Sequence, residues 1–492
     1  MNHHLSKRRA GILLHITSLP GSGVNGTLGE EALNFIQFLH DTGCSVWQTL
    51  PLGVTHSDGS PYQCMSSHAG NPALISYPWL EAKGWLQQPL RSDDYWQQTI
   101  FQKGSAMVLA FQGFNELAGK DEKMLFSRFC SEMAFWLDEF ALFYALRNEF
   151  DQQCWNQWPE PLKNREPVAI RQARQKLKDI IEVIKFEQFV FFTQWFELKD
   201  FARQQGILLF GDIPIFVSYD SSDVWANREV FKLNKDGEME VVAGVPPDYF
   251  SEFGQRWGNP HYNWEYLQKT EFKWWLERIK TQNELFDILR IDHFRGLEAA
   301  WEIPADEETA VNGQWVRAPG QELLAAISEQ YPDLALVAED LGIITDEVEA
   351  LRDEFNLPGM KILQFAFGGG ADNPYLPHNC VPNSVIYTGT HDNDTTLGWF
   401  NGLSDGEKHR VYEYLGFSQT AMPYTLIGTA LASVSKLAVI PMQDVLCLGS
   451  EDRMNTPGTT EGNWQWRYSW NQLTEEYVGR LKHLIGLFGR NL

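Results

Sequence analysis

No run of 18 or more apolar residues occurs in the sequence, which excludes a membrane-spanning helix. The N-terminus, MNHHLSKRRAGILLHI, places basic residues before an apolar run of only about seven residues that leads into SLPGSG, whereas a secretory signal wants a longer run and a small-residue cleavage site. Cysteine is sparse and scattered: Cys44, Cys64, Cys130, Cys154, Cys380 and Cys447 include no CxxC pair. They read as free thiols in a reducing compartment, not as a disulfide framework or a zinc site, and the expected location is the cytoplasm. Positive charge is also short. Forty Lys and Arg against 64 Asp and Glu give a formal net charge of −24. So acidic a surface repels phosphate backbones and anionic lipid, which argues against nucleic-acid and membrane partners. There is no phosphate-binding loop, no cluster spaced as metal ligands, no internal repeat and no low-complexity tract. GGGADNP, from Gly368, reads as a solvated turn in preference to a calcium loop. No metal and no cofactor are expected, and the sequence does not fix an oligomeric state.

Aromatic residues are plentiful, with 19 Trp, 16 Tyr and 31 Phe. Most must serve as core, but sugar rings present C–H faces that stack on aromatic faces, so a carbohydrate substrate is compatible with them. Eight apolar, β-rich runs recur: Gly11–Ile16, Val46–Leu52, Ile207–Ile213, Ile288–Asp292, Leu334–Glu339, Met360–Phe367, Ser384–Thr390 and Leu437–Asp444. Continuous apolar runs are the pattern of strands buried on both faces. Helical patterns lie between many of them, such as Thr345–Phe355 with a candidate N-cap Thr and early acids. Eight alternating units predict an α/β fold, a (β/α)8 TIM barrel with large helical and loop insertions. Residues 1–53 begin the barrel and 54–205 form mainly an inserted helical subdomain. Residues 206–217 supply a barrel strand, 218–272 an insertion with an aromatic cleft loop, and 273–492 the remainder of the barrel. After the last strand about 45 residues remain, too few for a C-terminal β-sandwich domain.

Four acids end predicted strands: Asp212 in LLFGDIPIF, Asp292 in LRIDHFRG, Glu339 in LVAEDLG and Asp392 in TGTHDND. An acid after an apolar run is by itself usually a turn or a helix cap. In a barrel, however, all C-terminal strand ends meet at one mouth, and four acids placed alike beside Arg290, His293 and His391 point to an active site there. Two facing carboxyl groups are what glycoside cleavage needs, one to protonate the leaving oxygen and one to attack the anomeric carbon or activate water. A third nearby carboxylate favours the oxocarbenium-like transition state and helps keep the acid protonated.

With these motifs in place the sequence resembles the 4-α-glucanotransferases, also called amylomaltases or disproportionating enzymes, of glycoside hydrolase family 77 in the α-amylase clan. The resemblance runs through GILLHITSLPG (from Gly11), WQTLPLG, SPYQ, AGNP, GDIPIFV, DVWAN, GVPPDYFSEFGQRWGNP, RIDHFRG, AEDLG, GTHDND, QDVLCLGSEDRMNTPGT and GNWQWR. It implies that Asp292 is the nucleophile, Glu339 the general acid/base and Asp392 the transition-state stabiliser. It further implies that Arg290 orients Asp292, that His293 and His391 bind sugar hydroxyls, that Tyr62 stacks on the sugar at the cleavage point, and that Asp212 contacts Arg290 or a sugar. Asp248, Tyr249 and Phe250 would lie on a loop over the cleft, disfavouring water and stacking on the acceptor. Trp257 and Asn463 are further candidate sugar contacts. The implied partners are an α-1,4-glucan donor and acceptor. The implied reaction is a retaining double displacement; a hydrolase with the same site, or a non-catalytic glucan-binding protein, is the alternative. The chain departs from the pattern at Ile16, where Pro is expected in HPTSLPG, and at Cys64, Met65 and His68 after SPYQ.

Overall fold

Eight short parallel strands close into a barrel. They are β1 (Arg9–Leu13), β2 (Val46–Gln48), β3 (Leu208–Pro214), β6 (Ile288–Asp292), β9 (Ala335–Ala338), β10 (Gly359–Ile362), β11 (Ser384–Tyr387) and β12 (Leu437–Pro441). Their order around the barrel is β1-β12-β11-β10-β9-β6-β3-β2. The structure is a computed structural model that describes residues 3–21, 23–87, 100–101, 104–247, 251–416 and 420–492. Each predicted apolar run overlaps one barrel strand. The runs outlast the pairing because several continue into a short 3-10 turn, as at Ile16–Ser18 and Leu363–Phe365.

Side chains alternate along each strand between the barrel interior and the helices outside. Phe210, Ile288, Val337, Met360, Val385, Tyr387 and Val439 fill the inside. Leu209, Leu289, Ile291, Leu336, Ile386 and Ile440 belong to the outer core against the helices. This period of two settles where the functional residues point. On β6, Ile288 faces inward, so Arg290 and Asp292 do too. On β3, Phe210 and Asp212 share the inner face, and Asp212 pairs in register with Arg290.

Between β2 and β3 the chain forms a series of helices, including Ala106–Leu117, Lys120–Glu132, Ala134–Glu149 and the 27-residue helix Lys178–Gln204. Phe114, Phe126, Phe186 and Phe189 interlock at its centre. The long helix grips the loop after β2 with two side-chain amides. Gln188 bonds both the N–H and the carbonyl of Gly70, at 2.8 and 2.9 Å, and Gln194 does the same for Ser76, at 2.8 and 3.0 Å. A Cβ at Gly70 would come within 2.0 Å of the Phe191 ring, so the close approach requires glycine there. At Thr345 the predicted N-cap is in place before helix Asp346–Glu354, but its side chain makes no capping bond.

The stretch read as insertion and barrel remainder also holds an antiparallel sheet absent from the sequence expectation. It comprises β4 (Val241–Val245), β5 (Gln255–Pro260), β7 (Ala299–Pro304) and β8 (Gln314–Arg317), in the order β5-β4-β7-β8. Its strands carry Gly and Pro (QRWGNP, VVAGV) and show little alternation, which is why they read as loop. No described helix is long and apolar enough to cross a membrane.

One buried acid on the long helix does no work in the barrel. Glu187 is 3% exposed, and its Oε2 has no hydrogen-bond partner among the described residues. Burial pushes its carboxyl up to about 8. The folded chain therefore holds a proton that the unfolded chain releases above the ordinary glutamate range near 4.5. Between about pH 4.5 and 8 the unfolded state gains charge that the folded state cannot, so stability falls as pH rises and levels off above about 8. Glu187→Gln is expected to remove this slope, making the variant relatively more stable at pH 9 by on the order of 5 kcal/mol. Urea midpoints measured from pH 5 to 9 check this, and parallel curves for the two proteins would refute it.

Candidate active site

At the C-terminal mouth of the barrel, side chains from β3, β6, β9 and β11 or the segments after them, with Tyr62 from the segment after β2, meet in one connected set of contacts. Arg290, 4% exposed, donates through Nη1 to Asp212 Oδ2 at 2.6 Å and pairs through Nη2 with Asp292 Oδ1 at 2.7 Å. Asp212 Oδ2 also accepts from the Tyr62 hydroxyl at 2.8 Å. The hydroxyl oxygen meets His391 Nε2 at 2.9 Å, and that nitrogen lies 3.4 Å from Asp392 Oδ2. Since Tyr62 gives its proton to a carboxylate, His391 must carry hydrogen on Nε2. Burial lowers the His391 pKa, which favours a neutral imidazole in that tautomer. The Tyr62 and His391 rings are stacked, 9° apart in plane with centroids at 5.3 Å.

Glu339 joins from the next strand. Its backbone N–H donates to Ile291 O at 3.0 Å and its carbonyl accepts from Phe294 N at 3.1 Å. Its carboxylate accepts from His293 N at 2.6 Å and from Leu341 N at 3.0 Å. His293 sits in the left-handed region at φ 50°, which turns its amide toward Glu339 immediately after Asp292. Glu339 is thus hydrogen-bonded to the peptide unit that joins Asp292 to His293. Burial raises both carboxyls, and each raises the other or is raised by neighbouring acids, while Arg290 opposes the rise in both. Burial also lowers His293, to about 4, so its imidazole is neutral at pH 7. Its Nε2 has no hydrogen-bond partner among the described residues, and neither does Asp212 Oδ1. Buried polar atoms left this way are expected to bond water or substrate.

The other candidates fall as follows. Trp257 on β5 packs edge-on to His293 with ring centroids 4.8 Å apart, which brings it to the site. Asn463 uses both ends of its amide within its own loop, accepting from Thr456 N at 2.9 Å and donating to Thr459 O at 3.0 Å. Asp248, Tyr249 and Phe250 lie outside the described residues. Cys64 and His68 line a small pocket, of about 50 Å³, together with Tyr62 and Asp212. His68 stacks on Trp136 and bonds Thr281, and Ile16 is wholly buried. Among the described residues no group of His, Cys, Asp and Glu is arranged to hold a metal ion.

Sequence reasoning missed two residues of the RMNTPGT segment. Asn455 Nδ2 donates to Asp392 Oδ1 at 2.6 Å, and Arg453 Nη2 to the Asp392 carbonyl at 3.0 Å. Asp392 is the most open of the three acids, its side chain 45% exposed, so these bonds do for it what burial does for the others. Asn455→Ala is expected to leave folding intact and to lower kcat about 10–100-fold, the cost of a misplaced catalytic group. Steady-state kinetics on a short maltodextrin check this, and an unchanged kcat would show that Asp392 holds its pose unaided.

A family profile described as 4-alpha-glucanotransferase matches residues 14–474. The chain is 48% identical over 488 residues to the 4-alpha-glucanotransferase of Thermus thermophilus, covering 96% of this chain and 97% of the relative. It is 47% identical over 504 residues to that of Synechocystis, covering 99% of each. Among solved structures, the amylomaltase from Streptococcus agalactiae in complex with acarbose matches with a TM-score of 0.93 at 38% identity, covering 99% of this chain and 100% of that one.

Proposed function

The chain belongs to the 4-alpha-glucanotransferases of glycoside hydrolase family 77, and from that premise we propose that Asp292, Glu339 and Asp392 carry glucan transfer by two displacements at one anomeric carbon. Asp292 attacks the anomeric carbon of an α-1,4-glucan while Glu339 protonates the departing glycosidic oxygen. The C–O bond to the leaving chain breaks, and a β-linked glycosyl ester to Asp292 forms. Glu339, now ionised, takes the proton from the 4-hydroxyl of an acceptor glucan or glucose, whose oxygen displaces Asp292. Two inversions restore the α-linkage, and such a pair works at a carboxyl separation of roughly 5–5.5 Å.

The observation that carries this reading is the unbroken line Asp292–Arg290–Asp212–Tyr62–His391–Asp392, with contacts of 2.6 to 3.4 Å, and Glu339 joined to its nucleophile end through the His293 amide. The reaction needs charge on Asp292 and a proton on Glu339. The guanidinium at 2.7 Å favours that division. The two amide bonds to Glu339 oppose it in the free enzyme, and they favour the carboxylate that forms once the leaving oxygen has taken the proton. Asp392, which Asn455 holds, is in this reading the group that bonds hydroxyls of the reacting sugar and offsets its positive charge. The donors and acceptors are maltodextrins from starch or glycogen, met in the cytoplasm, in keeping with the six free cysteines.

Incubation with maltotriose alone tests the function. Transfer yields glucose and a ladder of longer chains with a constant number of reducing ends. Glucose and maltose with rising reducing ends would assign the site to hydrolysis, and unchanged maltotriose would leave a binding protein.

A further inference from the structure

The segment after Asp292 and the loop after Glu339 are joined by a series of bonds. Ile291, His293 and Phe294 each bond Glu339, as described above. The last link is made by Arg295, whose Nη1 donates to the carbonyl of Ile343 at 2.6 Å. Arg295 is 6% exposed, and its guanidinium lies 3.7 Å from the ring centroid of Trp315. Trp315 stands on β8, the edge strand of the small sheet, braced edge-on by Trp301 of β7 with centroids 5.2 Å apart. The carbonyl that Arg295 holds is two residues beyond Leu341, whose amide bonds Glu339 Oε1. Between them Gly342 takes φ +85°, so the loop turns back sharply at that point. Ile343 itself is 50% exposed, so packing of its side chain does little to fix the loop.

We propose that Trp315 and Arg295 are positioning residues for the general acid/base: the indole holds the guanidinium against the Glu339 loop, and the guanidinium fixes the Leu341 amide that aims the carboxyl. The small sheet is thereby a working part of the catalytic apparatus, reaching Glu339 through one cation–π contact and one carbonyl. The inference rests on Glu339 being the acid/base. A cation over an indole face with its solvent excluded is a substantial contact. Arg suits the role because its planar fork stacks and donates at once, which an ammonium group does not. The hydrogen bond and the ring contact of this pair lead to the Glu339 loop, so its disturbance is expected to fall mainly on proton transfer.

The test compares two reactions of the same full-length enzyme. Maltotriose transfer needs Glu339 as acid and then as base. Reaction of α-maltosyl fluoride with azide needs neither: fluoride leaves without a proton, and azide displaces Asp292 to give α-maltosyl azide. Glu339→Ala serves as the reference and is expected to lose maltotriose transfer while keeping the fluoride–azide reaction. Trp315→Ala and Arg295→Lys are expected to lose maltotriose kcat about 10-fold or more, to keep the fluoride–azide rate within about 2-fold, and to shift the alkaline limb of the pH profile. Trp315→Phe, which keeps a ring under the guanidinium, is expected to restore most of the loss. Equal losses in both reactions would overturn the proposal, as would a raised KM for long glucans at unchanged kcat, which would make Trp315 a sugar platform. If Glu339→Ala lost both reactions, the acid/base assignment itself would fall, and this inference with it.

Discussion

Replacing Asp292 by Asn is expected to lower kcat for maltodextrin transfer by about 10⁴-fold or more, the scale on which an enzyme loses a covalent nucleophile. The substitution is nearly isosteric and keeps an acceptor oxygen toward Arg290, so the contact at 2.7 Å can persist while the attacking charge is gone. It also removes one negative charge from beside a guanidinium that still has Asp212 at 2.6 Å, so the buried cation is not left alone. The loss should therefore appear in chemistry and not in stability. Single-turnover kinetics together with a thermal melt measure both. A second readout is sharper: the wild type incubated with a 5-fluoroglycosyl donor should accumulate a labelled peptide containing Asp292, and the variant should accumulate none. Residual activity within about 100-fold of wild type, or a label on another acid, would move the nucleophile elsewhere.

Arg490→Ala is expected to destabilise the protein by about 3–5 kcal/mol and to lower Tm by roughly 5 °C. The residue is third from the C-terminus yet 0% exposed. Its guanidinium donates to five backbone carbonyls, those of Arg9, Leu431, Ser433, Ser435 and Lys436, at 2.6 to 3.3 Å. Arg9 begins β1, and Lys436 immediately precedes β12, so one side chain ties together the two strands that close the barrel. Arg8 bonds two of the same carbonyls and cannot serve the rest. Truncation to Ala leaves buried acceptors without donors, whereas Lys, with a compact head, reaches only some of them. Because the substitution lies at the opposite end of the barrel from the acids, kcat at 25 °C should stay near wild type. A melting curve that did not shift would show that Arg8 and the strand pairing suffice to close the seam.

How far the sequence reveals this molecule depends on the kind of signal. The barrel strands were legible because strands buried on both faces are largely apolar, as in LAVIP, and the acids were legible because they break such runs at a fixed end, as in ILRID. The small sheet was not legible. β5 (QRWGNP) has exposed and half-buried residues mixed with Gly and Pro, and its pairing with β4 slips between Val242 and Gly244. Asn455 was invisible for another reason: it lies in a loop without periodicity, and an Asn there has the same residue-level appearance as an ordinary turn former. Only its 2.6 Å bond to Asp392 distinguishes it. Asn463, eight residues further along, has that appearance too and spends its amide on Thr456 and Thr459. Composition could not separate these two, since the difference is which way each side chain turns.

The four-stranded sheet has a mechanical consequence. β4 and β5 grow from the chain that leaves β3, and β7 and β8 from the chain that leaves β6, and β4 and β7 are zipped together along four residue pairs. The rims of two neighbouring barrel strands are therefore lashed to each other, and that quarter of the mouth cannot widen without tearing a ladder of backbone bonds. Any accommodation of a thicker or branched chain must come from the facing quarter, where the segments after β11 and β12 are joined by side-chain bonds such as Ser450 to Asp394 and Asn455 to Asp392. Those yield more cheaply than a strand ladder.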